Sequence, residues 1–117
     1  MMGAAVFSLE APVMKNNNAI TVFGKKDAKN PKVSACIHCG RCVAACPMGL
    51  NPTVFAKAMG LANSADRAER LDIAKVNLCM ECGCCSFVCP AKRPLVENNK
   101  LAKADLRQFN ADKAKKN

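Results

Sequence analysis

The sequence predicts a mainly α-helical domain with metal clusters at its centre, preceded by short N-terminal β segments. Three observations predict it. Half of the 117 residues count as hydrophobic, yet that half includes nineteen Ala and nine Cys, leaving 31 Val, Ile, Leu, Met and Phe, with no Trp or Tyr. A chain with so little large apolar area to bury needs something else at its centre. All nine cysteines fall between residues 36 and 89, in two groups of one spacing. The segments that follow each group carry apolar residues at helical rather than strand period.

Residues 1–24 read as the end of a preceding domain. Val6 to Leu9 and Ala19 to Phe23 are short β-branched and aromatic runs, separated by Pro12 and Asn16-Asn17-Asn18, and are expected as two short strands. The first ten residues lack a basic leader and are followed by Pro12, so they do not read as a signal peptide. No stretch approaches the roughly 20 apolar residues of a membrane span. An odd cysteine count without an export signal argues for reduced, cytoplasmic thiols that bind metal rather than for a disulfide framework. Residues 25–35, with Lys25, Lys26, Lys29 and Lys32 around Asn30-Pro31, read as a solvated basic linker.

Residues 36–96 form the expected cluster domain. The run Cys36-Ile37-His38-Cys39-Gly40-Arg41-Cys42-Val43-Ala44-Ala45-Cys46-Pro47 aligns with Cys79-Met80-Glu81-Cys82-Gly83-Cys84-Cys85-Ser86-Phe87-Val88-Cys89-Pro90 at an offset of 43, with six of twelve positions identical. Both have the spacing C-x-x-C-x-x-C-x-x-x-C-P, the run of bacterial two-cluster ferredoxins, in which the fourth cysteine ligates the other cluster. Three cysteines two residues apart wrap a tight loop around one face of a cubane, and the fourth iron takes a distant ligand. The expected sets are therefore Cys36, Cys39, Cys42 and Cys89 on one 4Fe-4S cluster, and Cys79, Cys82, Cys85 and Cys46 on the other. Cys84 is left over as a small neighbour. Gly40 and Gly83, each directly after a second cysteine, are expected at positive φ, aiming N–H groups at cluster sulfurs.

Ile37, Val43, Met80, Phe87 and Val88 are expected to line the clusters and exclude water. His38 and its counterpart Glu81 are expected to make the two clusters unequal, the carboxylate disfavouring reduction of its neighbour and an imidazolium favouring it. Pro52 and Pro94 stand where a first helical turn would begin. Helices are expected from Thr53 to Leu61 and from Ser64 to Asn77, the second capped by Ser64 and supported by Asp66/Arg70. Ala68, Leu71, Ala74 and Leu78 share one face of it. Residues 97–117 form a charged helix or tail, where Leu95, Ala102, Leu106 and Phe109 make a stripe packed on the cysteine core or presented to a membrane surface or partner.

A zinc ribbon from Cys36/Cys39 and Cys79/Cys82 within a nucleic-acid module is the competing class, but it leaves four patterned cysteines unexplained. Aromatic residues for base stacking are nearly absent. No phosphate-binding glycine loop occurs and one histidine leaves little room for a Cys/His catalytic pair, so no catalytic site is expected in this chain alone. The formal charge is +9. Eight ligating thiolates and two cluster cores bring it to about +5, and residues 91–117, with eight Lys/Arg and three Asp/Glu, account for as much. That balance suits an acidic carrier, an acidic protein partner or an anionic membrane surface.

Cys36-Ile37-His38-Cys39-Gly40-Arg41-Cys42, Cys46-Pro47-Met48-Gly49-Leu50-Asn51-Pro52, Cys79-Met80-Glu81-Cys82-Gly83 and Cys89-Pro90-Ala91-Lys92-Arg93-Pro94-Leu95-Val96 together resemble the C subunit of the Rnf ion-translocating electron-transport complex. Met1-Met2-Gly3 and Leu9-Glu10-Ala11-Pro12-Val13 resemble the segment before that family's cluster domain. The resemblance implies a peripheral subunit on the cytoplasmic face of a bacterial cell membrane, within a complex that couples electron transfer between ferredoxin and NAD to sodium-ion or proton translocation. Its partners would be the other subunits and a ferredoxin or flavoprotein. Family members are much longer, with a flavin- and NADH-binding portion ahead of the clusters, and that activity does not carry over. The eight motif cysteines carry over one by one. The 32 residues between Cys46 and Cys79 favour a helical dicluster architecture over the compact β-rich ferredoxin. The expected function is electron transfer through two 4Fe-4S clusters in that complex, with an independent soluble carrier as the alternative.

Overall fold

The short helices start in two ways: two behind the asparagine caps Asn51 and Asn63, and two directly after the left-handed glycines Gly40 and Gly83. The structure, a computed structural model, describes residues 6–15, 17–28 and 32–116. Its elements are α1 (Arg41–Ala44), α2 (Pro52–Ala58), α3 (Ser64–Ile73), a 3-10 turn at Val76–Leu78, α4 (Cys84–Phe87) and α5 (Leu95–Lys116).

Asn51, extended, caps α2 by accepting the Thr53 N–H at 3.1 Å, and Pro52 occupies the first position, where a missing N–H costs nothing. The cap of α3 is Asn63 rather than Ser64. Asn63 is the extended residue (φ −76°, ψ 119°) and its Oδ1 accepts the Ala65 N–H at 3.0 Å, while Ser64 is already helical. Asp66 and Arg70 are both exposed; the ion pair of this helix runs from Arg67 to Asp105 on α5 instead, at 2.7 and 2.9 Å. The first turn of α5 is satisfied from outside, its Val96 N–H donating to Ser86 Oγ of α4 at 2.9 Å.

The end of α3 changes the expected apolar stripe. Ala68 and Leu71 are buried, but the helix closes at Ile73 and Lys75 takes φ 57°, which resets the phase of the chain. Val76 then fills the core at 0% exposure, and Leu78 is left 52% exposed. The stripe on α5 holds: Leu95, Ala102 and Leu106 are buried and Phe109 half-buried.

Two apolar clusters result. In one, Phe55 and Ala58 of α2, Ala68 and Leu71 of α3, and Ala102 and Leu106 of α5 meet Leu50 and Val76. In the other, Cys42, Cys85 and Cys89 are buried with Ala91, Leu95 and Val96. Cysteine thus stands in the interior where a larger domain would place aliphatic bulk.

The described residues fall into two compact units, Val33–Asn117 with every helix, and Gly3–Lys32. Among the described residues there is no strand, which corrects the expectation for Val6 to Leu9 and Ala19 to Phe23. A strand needs a hydrogen-bonded neighbour. The bonds of this unit are local turns, such as Asn17 N–H to the Met14 carbonyl at 2.9 Å and Asp27 N–H to the Gly24 carbonyl at 3.0 Å. Met1-Met2-Gly3, Asn16, Lys29 and Asn30-Pro31 lie outside the described residues.

Candidate iron-sulfur site

The two cysteine motifs fold into loops of matching backbone. Left-handed residues occur at His38, Gly40 and Gly49 (φ 55°, 74° and 62°) and, 43 positions later, at Glu81, Gly83 and Lys92 (φ 59°, 82° and 52°). Helix starts share the offset, Arg41 with Cys84 and Pro52 with Leu95. Sequence reasoning found the two glycines after the second cysteine but not the other four positions. No glycine marks His38, Glu81 or Lys92; their only signal is the shared offset itself.

Backbone amides lie beside two of the sulfurs. The Cys42 and Val43 N–H groups face the Cys42 sulfur, and those of Ser86 and Cys85 face the Cys85 sulfur. Burial outweighs them: it pushes the Cys42 thiol up and the Cys85 thiol up to about 11. A thiol so placed ionises readily only beside a cation, which is the condition a metal site supplies.

The fold gathers the eight motif cysteines into two sets. Cys36, Cys39, Cys42 and Cys89 border a cavity of about 290 Å³. Cys46, Cys79, Cys82 and Cys85 border a second, of about 20 Å³. Each set combines three cysteines of one motif with the last of the other. Cys84 borders neither; it is exposed at the start of α4. Its backbone N–H, followed by its thiol, holds the Cys82 thiol below the usual range, while the bond to Cys82 raises its own.

Around the second cavity α5 supplies polar groups. Asn99, 2% exposed, points Nδ2 at Cys79 Sγ (3.6 Å) and Cys85 Sγ (3.9 Å), and its Oδ1 is buried with no partner among the described residues. Lys103 donates to the Cys79 carbonyl at 2.9 Å and to Glu81 at 2.7 Å. That contact holds the Glu81 carboxyl below the usual carboxylate range and offsets its charge. Lys103 therefore offsets the Glu81 charge that is expected to disfavour reduction of the neighbouring cluster. From the other motif, Leu50 N–H donates to Cys46 Sγ at 3.3 Å. His38 is exposed at the edge of the first cavity.

The apolar loop residues do not seal the cavities as expected. Ile37 and Met80 reach the rims but stay 66% and 49% exposed, Phe87 is 85% exposed, Val43 is exposed and Val88 is half-buried. Successive helical residues rotate by about 100°, so Phe87, two places after the inward Cys85, points to the opposite side.

A single zinc ion needs its ligands gathered within about 2.3 Å of one point. Among the described residues no group of three or more His, Cys, Asp or Glu is placed to hold a single metal ion. The first set fits an iron-sulfur cluster by room and by donor chemistry, four thiols with amides turned toward sulfur. The second fits by donor chemistry. Its orphaned Asn99 Oδ1 is informative, since leaving a buried acceptor unpaired costs about 1–3 kcal/mol. That arrangement follows when the amide must turn its N–H groups to anionic sulfur.

Residues 32–93 match a family model described as a 4Fe-4S dicluster domain. Residues 7–51 match a second model of that description; the two overlap, and residues 7–31 hold no cysteine, so they describe one domain. The chain is 47% identical over 55 residues to the C subunit of the proton-translocating ferredoxin:NAD(+) oxidoreductase complex of Clostridium ljungdahlii, covering 47% of this chain and 12% of that protein. It is 44% identical over 57 residues to the C subunit of the Na(+)-translocating ferredoxin:NAD(+) oxidoreductase complex of Acetobacterium woodii, covering 49% and 13%. To the C subunit of the ion-translocating oxidoreductase complex of Methanosarcina acetivorans it is 46% identical over 52 residues, covering 44% and 12%. The matched region is thus homologous to a small part of much longer relatives.

Proposed function

Since the chain belongs to the 4Fe-4S dicluster domain family, with two 4Fe-4S clusters as its cofactors, we propose that it relays single electrons within a membrane-associated ferredoxin:NAD oxidoreductase complex coupled to ion translocation. Cys36, Cys39, Cys42 and Cys89 hold one cluster, and Cys46, Cys79, Cys82 and Cys85 the other. The observation that carries this is the crossed grouping of the cysteines, in which each cavity draws its fourth sulfur from the opposite motif. A cluster supplies a reversible one-electron change; the chain's own residues hold it, turn amide dipoles toward its sulfurs and place it near the surface.

Homology to the C subunits of two ferredoxin:NAD(+) oxidoreductase complexes and of one ion-translocating oxidoreductase complex supports the setting. Among the described residues no helix is long and apolar enough to cross a membrane, so the proposed attachment is peripheral, through partner proteins on the cytoplasmic face. The basic segment 91–117 and the exposed apolar side chains at the cavity rims, Ile37 and Met80, suit docking of an acidic electron-transfer partner. Because the chain spans only about an eighth of these relatives' length, flavin and NADH binding are not assigned to it.

Anaerobic isolation of the chain from its host tests both halves of the reading. Iron analysis and low-temperature EPR after reduction are expected to show two 4Fe-4S clusters in a membrane-retained assembly. Colourless, iron-free protein overturns electron transfer; a loaded but freely diffusing chain overturns the complex. Cys89→Ser is expected to damage the cluster of Cys36, Cys39 and Cys42, although Cys89 lies in the other motif. Loss confined to the other cluster refutes the crossed sets.

A further inference from the structure

The two halves of the cluster domain differ in what their following helices offer. Position 99 on α5 and position 56 on α2 are separated by 43, the offset that relates the cysteines, the left-handed residues and the helix starts. At 99 stands the buried Asn99, with Nδ2 3.6 Å from Cys79 Sγ and 3.9 Å from Cys85 Sγ. At 56 stands Ala56, which borders the first cavity with a methyl group and no donor. Lys103, bonded to the Cys79 carbonyl and to Glu81, likewise has Gly60 as its counterpart.

We propose that Asn99, backed by Lys103, raises the reduction potential of the cluster held by Cys46, Cys79, Cys82 and Cys85 above that of its partner, so that this cluster is the electron acceptor of the pair. The inference rests on the ligand sets proposed above. Reduction adds one negative charge to the cluster and its sulfurs. An N–H dipole aimed at a ligating sulfur stabilises the reduced form more than the oxidised one. Burial keeps water from screening that dipole. The amide has one workable orientation: with Oδ1 toward Cys79 and Cys85, its lone pairs would face anionic sulfur, whereas the observed orientation leaves only Oδ1 unpartnered. In the transfer one electron would pass from the cluster held by Cys36, Cys39, Cys42 and Cys89, oxidising it, to the one held by Cys46, Cys79, Cys82 and Cys85, reducing it, with no proton or bond moved. Asn99 acts as a positioning donor that does not itself change state.

The experiment is an EPR-monitored redox titration of the anaerobically isolated, cluster-loaded chain, wild type against Asn99→Leu. Wild type is expected to show two one-electron waves. In Asn99→Leu the higher wave is expected to fall by about tenfold in its reduction equilibrium, about 59 mV for one electron, with the lower wave unmoved. Both waves unmoved, or the lower wave moved instead, overturns the proposal. Should Asn99→Leu fail to load, pulsed EPR on wild type with ¹⁵N in its asparagine side chains replaces it. A nitrogen coupling is expected in the species that forms first on reduction; a coupling absent there overturns the proposal. A wild type that loads fewer than two clusters refutes the ligand sets as well, whereas two clusters titrating in one wave, or two waves with no response at Asn99, refute this inference alone.

Discussion

Gly40 shows what the cluster loops ask of single residues. It holds φ 74°, and a Cβ built there would meet nothing within 4 Å, so the objection to a side chain is conformational rather than steric. An L-residue in that region costs about 1–2 kcal/mol. Gly40→Ala is expected to lower the stability of the loaded protein by about 1 kcal/mol, and Gly40→Asn by less, because Asn tolerates the left-handed region. Anaerobic denaturant titration measures both, and an unchanged Ala variant would show that the loop relaxes to another φ. His38, Glu81 and Lys92 carry the same strain without glycine's exemption. Such residues persist when their surroundings over-determine them, and for Glu81 the ion pair to Lys103 is one such constraint.

At the scale of elements, short helices are held by their ends. α3 has ten residues, below the length at which an isolated helix is stable in water, so its cap and its packing decide it. Asn63→Ala is expected to cost about 1 kcal/mol, whereas Ser64→Ala, one residue inside the helix, stays within about 0.5 kcal/mol. Thermal unfolding of the loaded variants distinguishes them, and a larger loss at Ser64 would return the cap to that residue. α5 supplies polar side chains beside the second cavity, Asn99 and Lys103. Its face is buried from Leu95 through Asn99 and Ala102 to Leu106. Leu95 joins the cysteine-bearing cluster, and Ala102 and Leu106 join the helical one. Arg67, gripping Asp105 and the Leu61 carbonyl, ties α3 to that helix.

For the whole chain, the decisive quantity is how much of the interior is cysteine. Of the two apolar clusters, one rests on Phe55, Leu71 and Val76, the other on Cys42, Cys85 and Cys89. In the second cluster burial raises the Cys85 thiol to about 11, so its ionisation as a ligand depends on the charge of the metal it meets. Binding that exists only in the folded state adds to folding stability. Removal of iron by chelation is therefore expected to abolish cooperative unfolding and most of the helical ellipticity. Far-UV circular dichroism reads it, and a stripped chain that still melts in one sharp transition would show that the α2, α3 and α5 core suffices.

The sequence by itself determined the donors, their spacing and the helical stripe of the last segment, because these depend on local periodicity and on residue types with one dominant chemistry. Pro52 and the glycines after the second cysteines marked a helix start and two turns for the same reason, whereas the cap of α3 fell on Asn63 rather than the expected Ser64 because Asn63 stays extended. Tertiary structure alone decided that Val76 replaces Leu78 in the core, that Phe87 faces outward, and that Val6 to Leu9 and Ala19 to Phe23 find no strand partner. It also decided the asymmetry of the site. Asn99 and Lys103 look in sequence like two polar residues on a charged helix; docking of α5 brings one to the sulfurs of Cys79 and Cys85 and the other to Glu81. Contacts across about twenty residues follow from packing, which no local pattern encodes.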